Sequence, residues 1–197
     1  MKTLFLVRHG APDEGNLERP HDPPLNATGL RQASELAARL TDARIDRIVS
    51  SPQLRARNTA APLAERLGLP IHILDGLAEI DLYADRYVSP ETIRRQTPER
   101  WREFLQSPAR FFGRDEEEFR SGVLNAVAAI LADPRGTAVA LFTHGTPIRT
   151  IVLHVVGAAN AKQFPISHCS ITRVSGGSID ALRLESVAEP LASQAAR

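Results

Sequence analysis

Two His-Gly pairs, each directly after an apolar run of strand length, are the strongest chemical signal in this sequence. The first pair follows residues 3–7 within the tripeptide Arg8-His9-Gly10, and the second, His144-Gly145, follows residues 137–143. Apolar runs of this length are typical of buried strands in a parallel sheet. The carboxyl ends of such strands meet at one edge of the sheet, where α/β folds bind their ligands. We therefore expect the two imidazoles to lie close together.

An imidazole beside an arginine at a strand end could act as a nucleophile toward an anion. A neutral His9 can attack phosphorus in line and divide one difficult displacement into two easier steps through a phosphohistidine. Its second ring nitrogen must then donate its proton to an acceptor, which a nearby backbone carbonyl can supply. Arg8, Arg55 and, if it is protonated, His144 can supply the donors that a phosphoryl group needs. From its position alone, Arg55 could equally be a solvated helix arginine.

Departure of the leaving oxygen also needs an acid, and one loop of the sequence offers three carboxyl groups. Glu79 is the predicted proton donor, but Asp75 and Asp81 flank it and the pattern does not choose among them. The role of His168, which precedes the last predicted strands, stays open. The remaining histidines are expected to be structural or exposed; they are His21, His72 and His154.

The usual signatures of metal and nucleotide chemistry are missing from the sequence. It contains no His-Glu-x-x-His motif, no pair of cysteines and no compact cluster of aspartates. It also lacks the glycine-rich loops that hold nucleotide phosphates. We therefore predict a site without metal or cofactor, whose partner is a small-molecule phosphate ester.

Length and composition are those of one soluble globular domain. The chain has 197 residues, of which 43% are hydrophobic and 24% charged, and its formal net charge is +1. This balance gives no reason to expect nucleic acid or an anionic membrane as a partner. Cys169 is the only cysteine, no apolar stretch reaches 18 residues, and the N-terminus lacks a leader pattern, so we predict a cytoplasmic protein. Nothing in the sequence indicates the oligomeric state.

Apolar periodicity predicts alternating strands and helices. This pattern indicates an α/β three-layer sandwich around a mostly parallel sheet with an antiparallel edge strand. An Arg-rich excursion or lid is expected over about residues 76–113, and residues 170–174 and 179–185 predict a closing pair of strands. We expect a single catalytic domain over residues 1–187 and a frayed tail over residues 188–197. Within the excursion, short helices are predicted at residues 91–96 and 99–106.

Four motifs follow one another along the chain, and a late segment at residues 167–171 accompanies them. The motifs are residues 6–10, 25–33, 50–60 and 142–145. In this order they resemble the histidine phosphatase superfamily, and the resemblance extends from residue 5 to about residue 174. It implies the phosphoglycerate-mutase-like fold and phosphoryl chemistry at a histidine.

The resemblance also implies a role for each matching residue. His9 would accept the phosphate and Glu79 would donate the proton. Asn16 matches a family asparagine that touches phosphate, although its loop spacing is off by one. The residues that would hold the phosphoryl group are Arg8, Arg55, His144 and the adjacent Gly145.

Departures from the family pattern favour a phosphatase over a mutase. Ala11-Pro12 stands where mutases and many broad phosphatases carry Glu-Thr, and the residues after Glu79 differ from the usual Gly-x-Trp-Glu-Gly run. We therefore expect a metal-independent phosphomonoesterase of the histidine acid phosphatase type. The alternatives are a cofactor-dependent phosphoglycerate-type mutase and a phosphate-binding regulatory module with little turnover. A protein phosphohistidine phosphatase fits less well, because the excursion indicates an enclosed pocket. The physiological substrate stays unidentified.

Overall fold

The computed structural model describes residues 1–157 and 164–195, which form a six-stranded sheet with helices on both faces. The strands are β1 (Lys2–Arg8), β2 (Arg47–Ser50), β3 (Ile71–Ile73), β4 (Ala138–Thr143), β5 (Ile171–Gly176) and β6 (Arg183–Glu189). The helices are α1 (Ala27–Thr41), α2 (Leu54–Leu67), α3 (Pro90–Gln96), α4 (Pro98–Gln106), α5 (Pro108–Phe111), α6 (Glu116–Ala132), α7 (Gly145–Val156) and α8 (Ala192–Ala195). Within these ranges no helix is both long and apolar enough to cross a membrane.

The sheet has the strand order β3-β2-β4-β1-β5-β6 and is mostly parallel. The first four strands in this order run in one direction, whereas β5 is antiparallel to β1 and β6 is antiparallel to β5. The predicted α/β class is therefore confirmed, with the antiparallel pairing on one side of the sheet. The strand that runs against β1 is β5, second from the edge, and β6 forms the edge itself.

The closing pair of strands differs from the prediction at the connection. Residues 179–181 form a 3-10 turn, and the last strand begins only at Arg183. The reason is a close approach at Gly176, where a Cβ atom would lie 2.8 Å from the carbonyl oxygen of Ala181. The chain must first cross the end of β5 before it can pair with that strand again.

Alternation along the central strands produces two separate cores. Leu4 and Leu6 of β1 face α6 and α7, whereas Val7 faces α1 and α2. The same alternation divides β4, since Leu141 belongs to the first core and Phe142 to the second. Burial of both faces explains why the parallel strands are continuous apolar runs, and their common direction places their carboxyl ends on one edge.

The excursion between β3 and α6 carries three short helices. The two predicted helices correspond to α3 and α4, each with a proline in its first turn, and α5 follows. Phe104 is buried among aromatic neighbours, with ring centroids 5.4 Å from Trp101 and 5.6 Å from Phe111. The excursion is tied to the N-terminal loop, since the backbone N–H of Tyr87 donates to the carbonyl of Pro20 at 2.7 Å.

The expected fraying of the tail from residue 188 is wrong for the described residues. Strand β6 continues to Glu189 and α8 follows it. Leu191 is fully buried in the core beneath α1, and the Ser193 hydroxyl donates to Glu35 on that helix. Burial of one leucine and pairing across long sequence separations explain the order, which a local pattern does not reveal. Residues 196 and 197 lie outside the described part.

The first turn of α1 packs directly against the loop after β1. Asn26 caps the helix by accepting a hydrogen bond from the Gly29 N–H at 2.9 Å. A Cβ atom on Gly29 would lie only 2.1 Å from the carbonyl oxygen of Ala11. Glycine is therefore required here for a close backbone approach, which holds the His9 loop in place.

We predict that Gly29→Ala lowers the free energy of unfolding by about 1–3 kcal/mol, because the added methyl group must push two backbone segments apart. Gly122→Ala, at an exposed position of α6, is the matched control. A Cβ atom there meets nothing within 4 Å, so this variant should be more stable by about 0.5–1 kcal/mol. Urea unfolding followed by circular dichroism measures both. Equal stability of the two variants would contradict the close approach.

Candidate active site

Three strands deliver polar side chains to one edge of the sheet. His9 follows β1, Ser51 follows β2 and His144 follows β4. The backbone N–H of His9 donates to Thr143 at 3.0 Å, and that of Ser51 donates to Phe142 at 2.9 Å. The structure therefore brings the two His-Gly pairs together, with 5.0 Å between the imidazole centroids of His9 and His144.

His9 is held in one tautomer by its own loop. Its side chain is buried, and Nδ1 lies 2.8 Å from the carbonyl oxygen of Gly10. A carbonyl can only accept, so Nδ1 carries the proton and Nε2 keeps its lone pair. Burial, followed by the neighbouring His144 and Arg55, holds the pKa of His9 well below its usual value. The ring is therefore a neutral base with Nε2 available for bonding.

His144 is oriented by a chain of hydrogen bonds from the start of α2. The Ser51 hydroxyl accepts from the Gln53 N–H at 3.2 Å and lies 2.7 Å from His144 Nε2. If the hydroxyl donates to Nε2, the proton of the ring is on Nδ1. Burial, then Arg55 and Arg8, hold the pKa of His144 well below its usual value. In the free protein His144 is therefore a neutral donor, not the cation considered from the sequence.

The two arginines are buried parts of this site. Arg8 donates through Nη1 to the carbonyl of Ile166 at 2.6 Å and lies 3.7 Å from the Glu91 carboxylate. Arg55 is fully buried, and its Nη2 contacts both Asp81 oxygens at 2.9 and 3.1 Å. Its guanidinium also lies 4.5 Å from the centre of the Tyr87 ring. The interpretation of Arg55 as a solvated helix arginine is therefore wrong.

Unpaired nitrogen atoms are concentrated around His9. In the described residues, eight buried side-chain polar atoms have no hydrogen-bond partner, and five of them belong to this cluster. A buried polar group without a partner costs about 1–3 kcal/mol, so such a concentration is typical of a site where a ligand or bound water completes the bonds. The five atoms are Arg8 Nε, Arg55 Nε and Nη1, His144 Nδ1 and His168 Nε2.

Glu79 is the carboxyl group that the geometry favours as an acid. Its oxygens accept from the N–H groups of Ile80 at 2.9 Å and Thr146 at 3.2 Å, which places it beside the first turn of α7. Burial and the neighbouring Asp81 charge raise its pKa above the usual value. Asp75 is exposed, and Asp81 is already paired with Arg55. Only Glu79 therefore combines a raised pKa with a position next to the helix that follows His144.

Gln53 joins the acid to the arginine and gave no signal in the sequence. Its side-chain amide donates to Asp81 Oδ1 at 2.9 Å and accepts from the Glu79 N–H at 2.7 Å. Thr59 makes a second link, because its hydroxyl accepts from Gly10 N–H at 2.9 Å. A single glutamine or threonine in a helix has no distinctive spacing. Only the folded arrangement reveals their contacts.

The other two predicted phosphate-binding residues are placed differently. Gly145 begins α7, and a Cβ atom there would lie 3.9 Å from Arg8 Nε, so this turn adjoins the unpaired donors. Asn16 donates to Asp13 at 3.2 Å and accepts from the Arg19 N–H at 2.8 Å. Both of its bonds lie within its own loop, and neither connects it to His9. A phosphate contact of Asn16 stays a prediction.

The remaining histidines fall into two groups. His168 lies with its ring centroid 5.4 Å from that of His9. His72 is exposed on β3, and His154 lies 3.8 Å from Asp180 on the surface. Across the described part of the chain, no three His, Cys, Asp or Glu side chains are grouped so that they could hold a metal ion.

Comparison with known proteins agrees with this geometry. The family model of the histidine phosphatase superfamily (branch 1) matches residues 4–184. The chain belongs to the histidine phosphatase superfamily. This match covers all three strand ends at the site.

Two relatives matched by sequence are named as mutases. The chain is 30% identical over 183 residues to a probable phosphoglycerate mutase GpmB from Citrobacter koseri, covering 88% of this chain and 85% of that protein. The homologous protein of Escherichia fergusonii is 28% identical with the same coverage.

Two solved structures share the fold. A mycobacterial glucosyl-3-phosphoglycerate phosphatase in complex with VO3 superimposes with a TM-score of 0.79 at 23% identity, over 96% of this chain and 100% of that one. A phosphoserine phosphatase from Entamoeba histolytica, in complex with 3-phosphoglyceric acid, gives a TM-score of 0.70 at 24% identity, over 94% and 96% of the two chains.

We predict that Asp81→Asn lowers the pKa of Glu79, because it removes the neighbouring negative charge that disfavours the carboxylate. The same change removes the nearer counter-charge of buried Arg55 and leaves only Asp22, 3.8 Å from Nη1, so the free energy of unfolding should fall by up to about 3–5 kcal/mol. NMR titration of the Glu79 carboxyl carbon measures the first effect and thermal unfolding the second. Asp75→Asn, the same substitution at an exposed position of the same loop, is the control. An unchanged Glu79 titration in Asp81→Asn would contradict the coupling.

Proposed function

We propose that this protein is a metal-independent phosphomonoester hydrolase that acts on a small soluble phosphate through a phosphohistidine at His9. The observation that carries the proposal is the cluster of five unpaired buried nitrogens around a neutral imidazole. Donors fixed in a water-poor site favour an anion without having to reorganise, and phosphoryl transfer needs such donors around its equatorial oxygens. The proposed location is the cytoplasm, where the lone, buried Cys169 remains a thiol.

In the first step, the lone pair of His9 Nε2 forms a bond to phosphorus while the bond from phosphorus to the ester oxygen breaks. The leaving oxygen keeps that electron pair and takes the proton of Glu79. The proton stays on His9 Nδ1, which donates to the Gly10 carbonyl, so positive charge on the ring is stabilised as it develops. Arg8, Arg55 and His144 hold the phosphoryl oxygens throughout.

In the second step, water replaces the departed alcohol. The Glu79 carboxylate accepts a proton from this water as its oxygen forms a bond to phosphorus. The bond from phosphorus to Nε2 breaks, and the electron pair returns to the imidazole. Inorganic phosphate leaves, and His9 and Glu79 are again in their starting protonation states.

A cavity beside the His9 loop favours hydrolysis over phosphoglycerate mutation. Its volume is about 420 Å³, and its wall residue Glu91 contacts Arg8. Three carboxylates line it against a single guanidinium, that of Arg95. A phosphoglycerate mutase must hold its substrate carboxylate while the phosphoryl group moves between two hydroxyls, and a carboxylate-rich wall repels such a group. The mutase names of the relatives keep mutation as the second candidate.

Turnover of alkyl phosphates should be favoured on the acid side of neutrality. His9 must be unprotonated to attack, and its lowered pKa keeps it so well below pH 6.5. Glu79 must be protonated to act as an acid, and its raised pKa extends that form to higher pH than usual. The rate therefore falls as pH rises through the pKa of Glu79 and as pH falls through that of His9.

We expect wild-type protein to release phosphate from p-nitrophenyl phosphate in excess EDTA, and His9→Ala to lose at least about 10³-fold in kcat, because the attacking nitrogen is gone. His72→Ala removes an exposed imidazole on β3 and should match the wild type. Phosphate release by His9→Ala at the wild-type rate would show that the nucleophile is wrong.

Three further measurements separate the competing functions. Turnover of phosphoglycerate to its isomer that requires a bisphosphate primer would identify a mutase. Tight vanadate binding without release of product would identify a phosphate-binding module. Activity abolished by EDTA and restored by a divalent cation would contradict a metal-independent mechanism.

The loss of kcat in Glu79→Gln should depend on the leaving group. We predict a loss of about 10²–10⁴-fold in kcat for a primary alkyl phosphate, whose alkoxide must be protonated as it leaves. The loss for p-nitrophenyl phosphate should be smaller, since nitrophenolate departs without a proton. Asp75→Asn, an exposed carboxylate of the same loop, serves as the control with both substrates. An equal loss on both substrates would contradict the role of Glu79 as proton donor to the leaving group.

A further inference from the structure

A third histidine borders the nucleophile from the C-terminal part of the chain. His168 belongs to a tight turn before β5, closed by a hydrogen bond from the Ser170 N–H to the Ser167 carbonyl at 3.1 Å. Cys169 in this turn has a φ angle of 55°, in the left-handed region. Such a conformation is uncommon for a residue other than glycine, and it turns the chain sharply at this point.

This turn is anchored to the backbone of the phosphate site itself. The Cys169 N–H donates to the carbonyl of Arg8 at 2.9 Å and lies 3.3 Å from that of His9. From the other side, the Gln194 side chain donates to the His168 carbonyl at 3.0 Å. The position of His168 relative to His9 is therefore fixed from two directions.

The His168 ring shares the surroundings of the other two site imidazoles. Its centroid lies 5.4 Å from that of His9, so His9 has an imidazole neighbour on each of two strand ends. Nε2 of His168 is buried and has no hydrogen-bond partner. In this it resembles the unpaired nitrogens of Arg8, Arg55 and His144. A histidine with a purely structural role would be expected to pair this atom.

Burial, followed by the nearby Arg8 charge, lowers the pKa of His168 to about 3. The ring is therefore neutral at any pH at which the protein would work. A neutral imidazole carries one N–H, which can donate to an anion without adding another positive charge beside His9. That property suits a site that must keep its nucleophile unprotonated.

We propose that His168 is a further phosphoryl-contacting residue, whose Nε2–H donates to a non-bridging oxygen of the group held beside His9. The proposal rests on the proposed function for the identity of that group as a phosphoryl. No bond is made or broken at His168, and its contribution is to binding and to the orientation of phosphorus toward His9 Nε2. The contact would also assign a positioning role to the C-terminal segment, because Gln194 holds the turn that carries the ring.

The test compares His168→Phe, which keeps a flat ring without a donor, with His168→Asn, which keeps a shorter donor. Orthovanadate is the probe, as a competitive inhibitor of p-nitrophenyl phosphate turnover and as a ligand in calorimetry. We expect His168→Phe to weaken vanadate binding on the order of 10- to 100-fold, as for a lost bond to a charged acceptor. His168→Asn should lose less. Thermal unfolding should show both variants folded, and His72→Phe on exposed β3 should bind as the wild type does.

Imidazole NMR of the wild type gives a second readout that does not depend on turnover. Addition of orthovanadate should move the Nε2–H resonance of His168 downfield. If the wild type has no phosphatase activity but this resonance still moves, the proposed function fails and the anion contact of His168 stands. If the wild type is active and His168→Phe keeps its vanadate affinity and kcat/KM, the role of His168 is overturned and the proposed function stands.

Discussion

The buried ion pair between Arg55 and Asp81 is the interaction on which the rest of the site depends. A fully buried guanidinium would be strongly destabilising without a counter-charge, since dehydration of an ion costs several kcal/mol. Asp81 accepts hydrogen bonds from Nη2, the carboxylate of Asp22 lies 3.8 Å from Nη1, and neither Nε nor Nη1 has a hydrogen-bond partner. The same carboxylate raises the pKa of Glu79, to which it is also joined through Gln53. One pair thus fixes a buried cation beside His9 and contributes to the raised pKa of Glu79.

The same surroundings that raise the pKa of Glu79 lower the pKa values of the two imidazoles. Burial, followed by the neighbouring positive charges, lowers the pKa values of His9 and His144, so both rings are neutral without a ligand. For His9 this preserves the lone pair, and for His144 it leaves a single N–H donor. An entering phosphate dianion would offset the arginine charges and raise both pKa values. Such a change would favour the positive charge that develops on His9 during attack.

Sequence reasoning predicted what depends on local pattern and missed what depends on long-range contact. The His-Gly pairs were informative because an apolar run locates its own carboxyl end, and parallel strands share that edge. Helices α3 and α4, each of which begins with a proline, were likewise predicted from the pattern of residues within each segment. The pairing of Asp81 with Arg55 spans 26 residues, and the docking of Leu191 beneath α1 spans more than half the chain. Such contacts leave no periodic pattern in the sequence. The folded structure was therefore needed to compare the three carboxyl groups and to show that the tail is ordered.

In the proposed function, the reacting groups and the cavity beside them belong to different parts of the fold. The reacting groups lie at the ends of β1 and β4, whereas the cavity is lined by the N-terminal loop and α3. These two walls are joined to each other, since the Thr92 hydroxyl donates to Glu14 at 2.9 Å. The departure Ala11-Pro12 lies where this loop leaves the site, and the Ala11 carbonyl accepts from the Asn26 N–H at 3.0 Å. In the proposed function, substitutions at Pro12 that keep the Ala11 backbone in place would reshape this cavity without moving His9, whose N–H is held by the Thr143 carbonyl of β4.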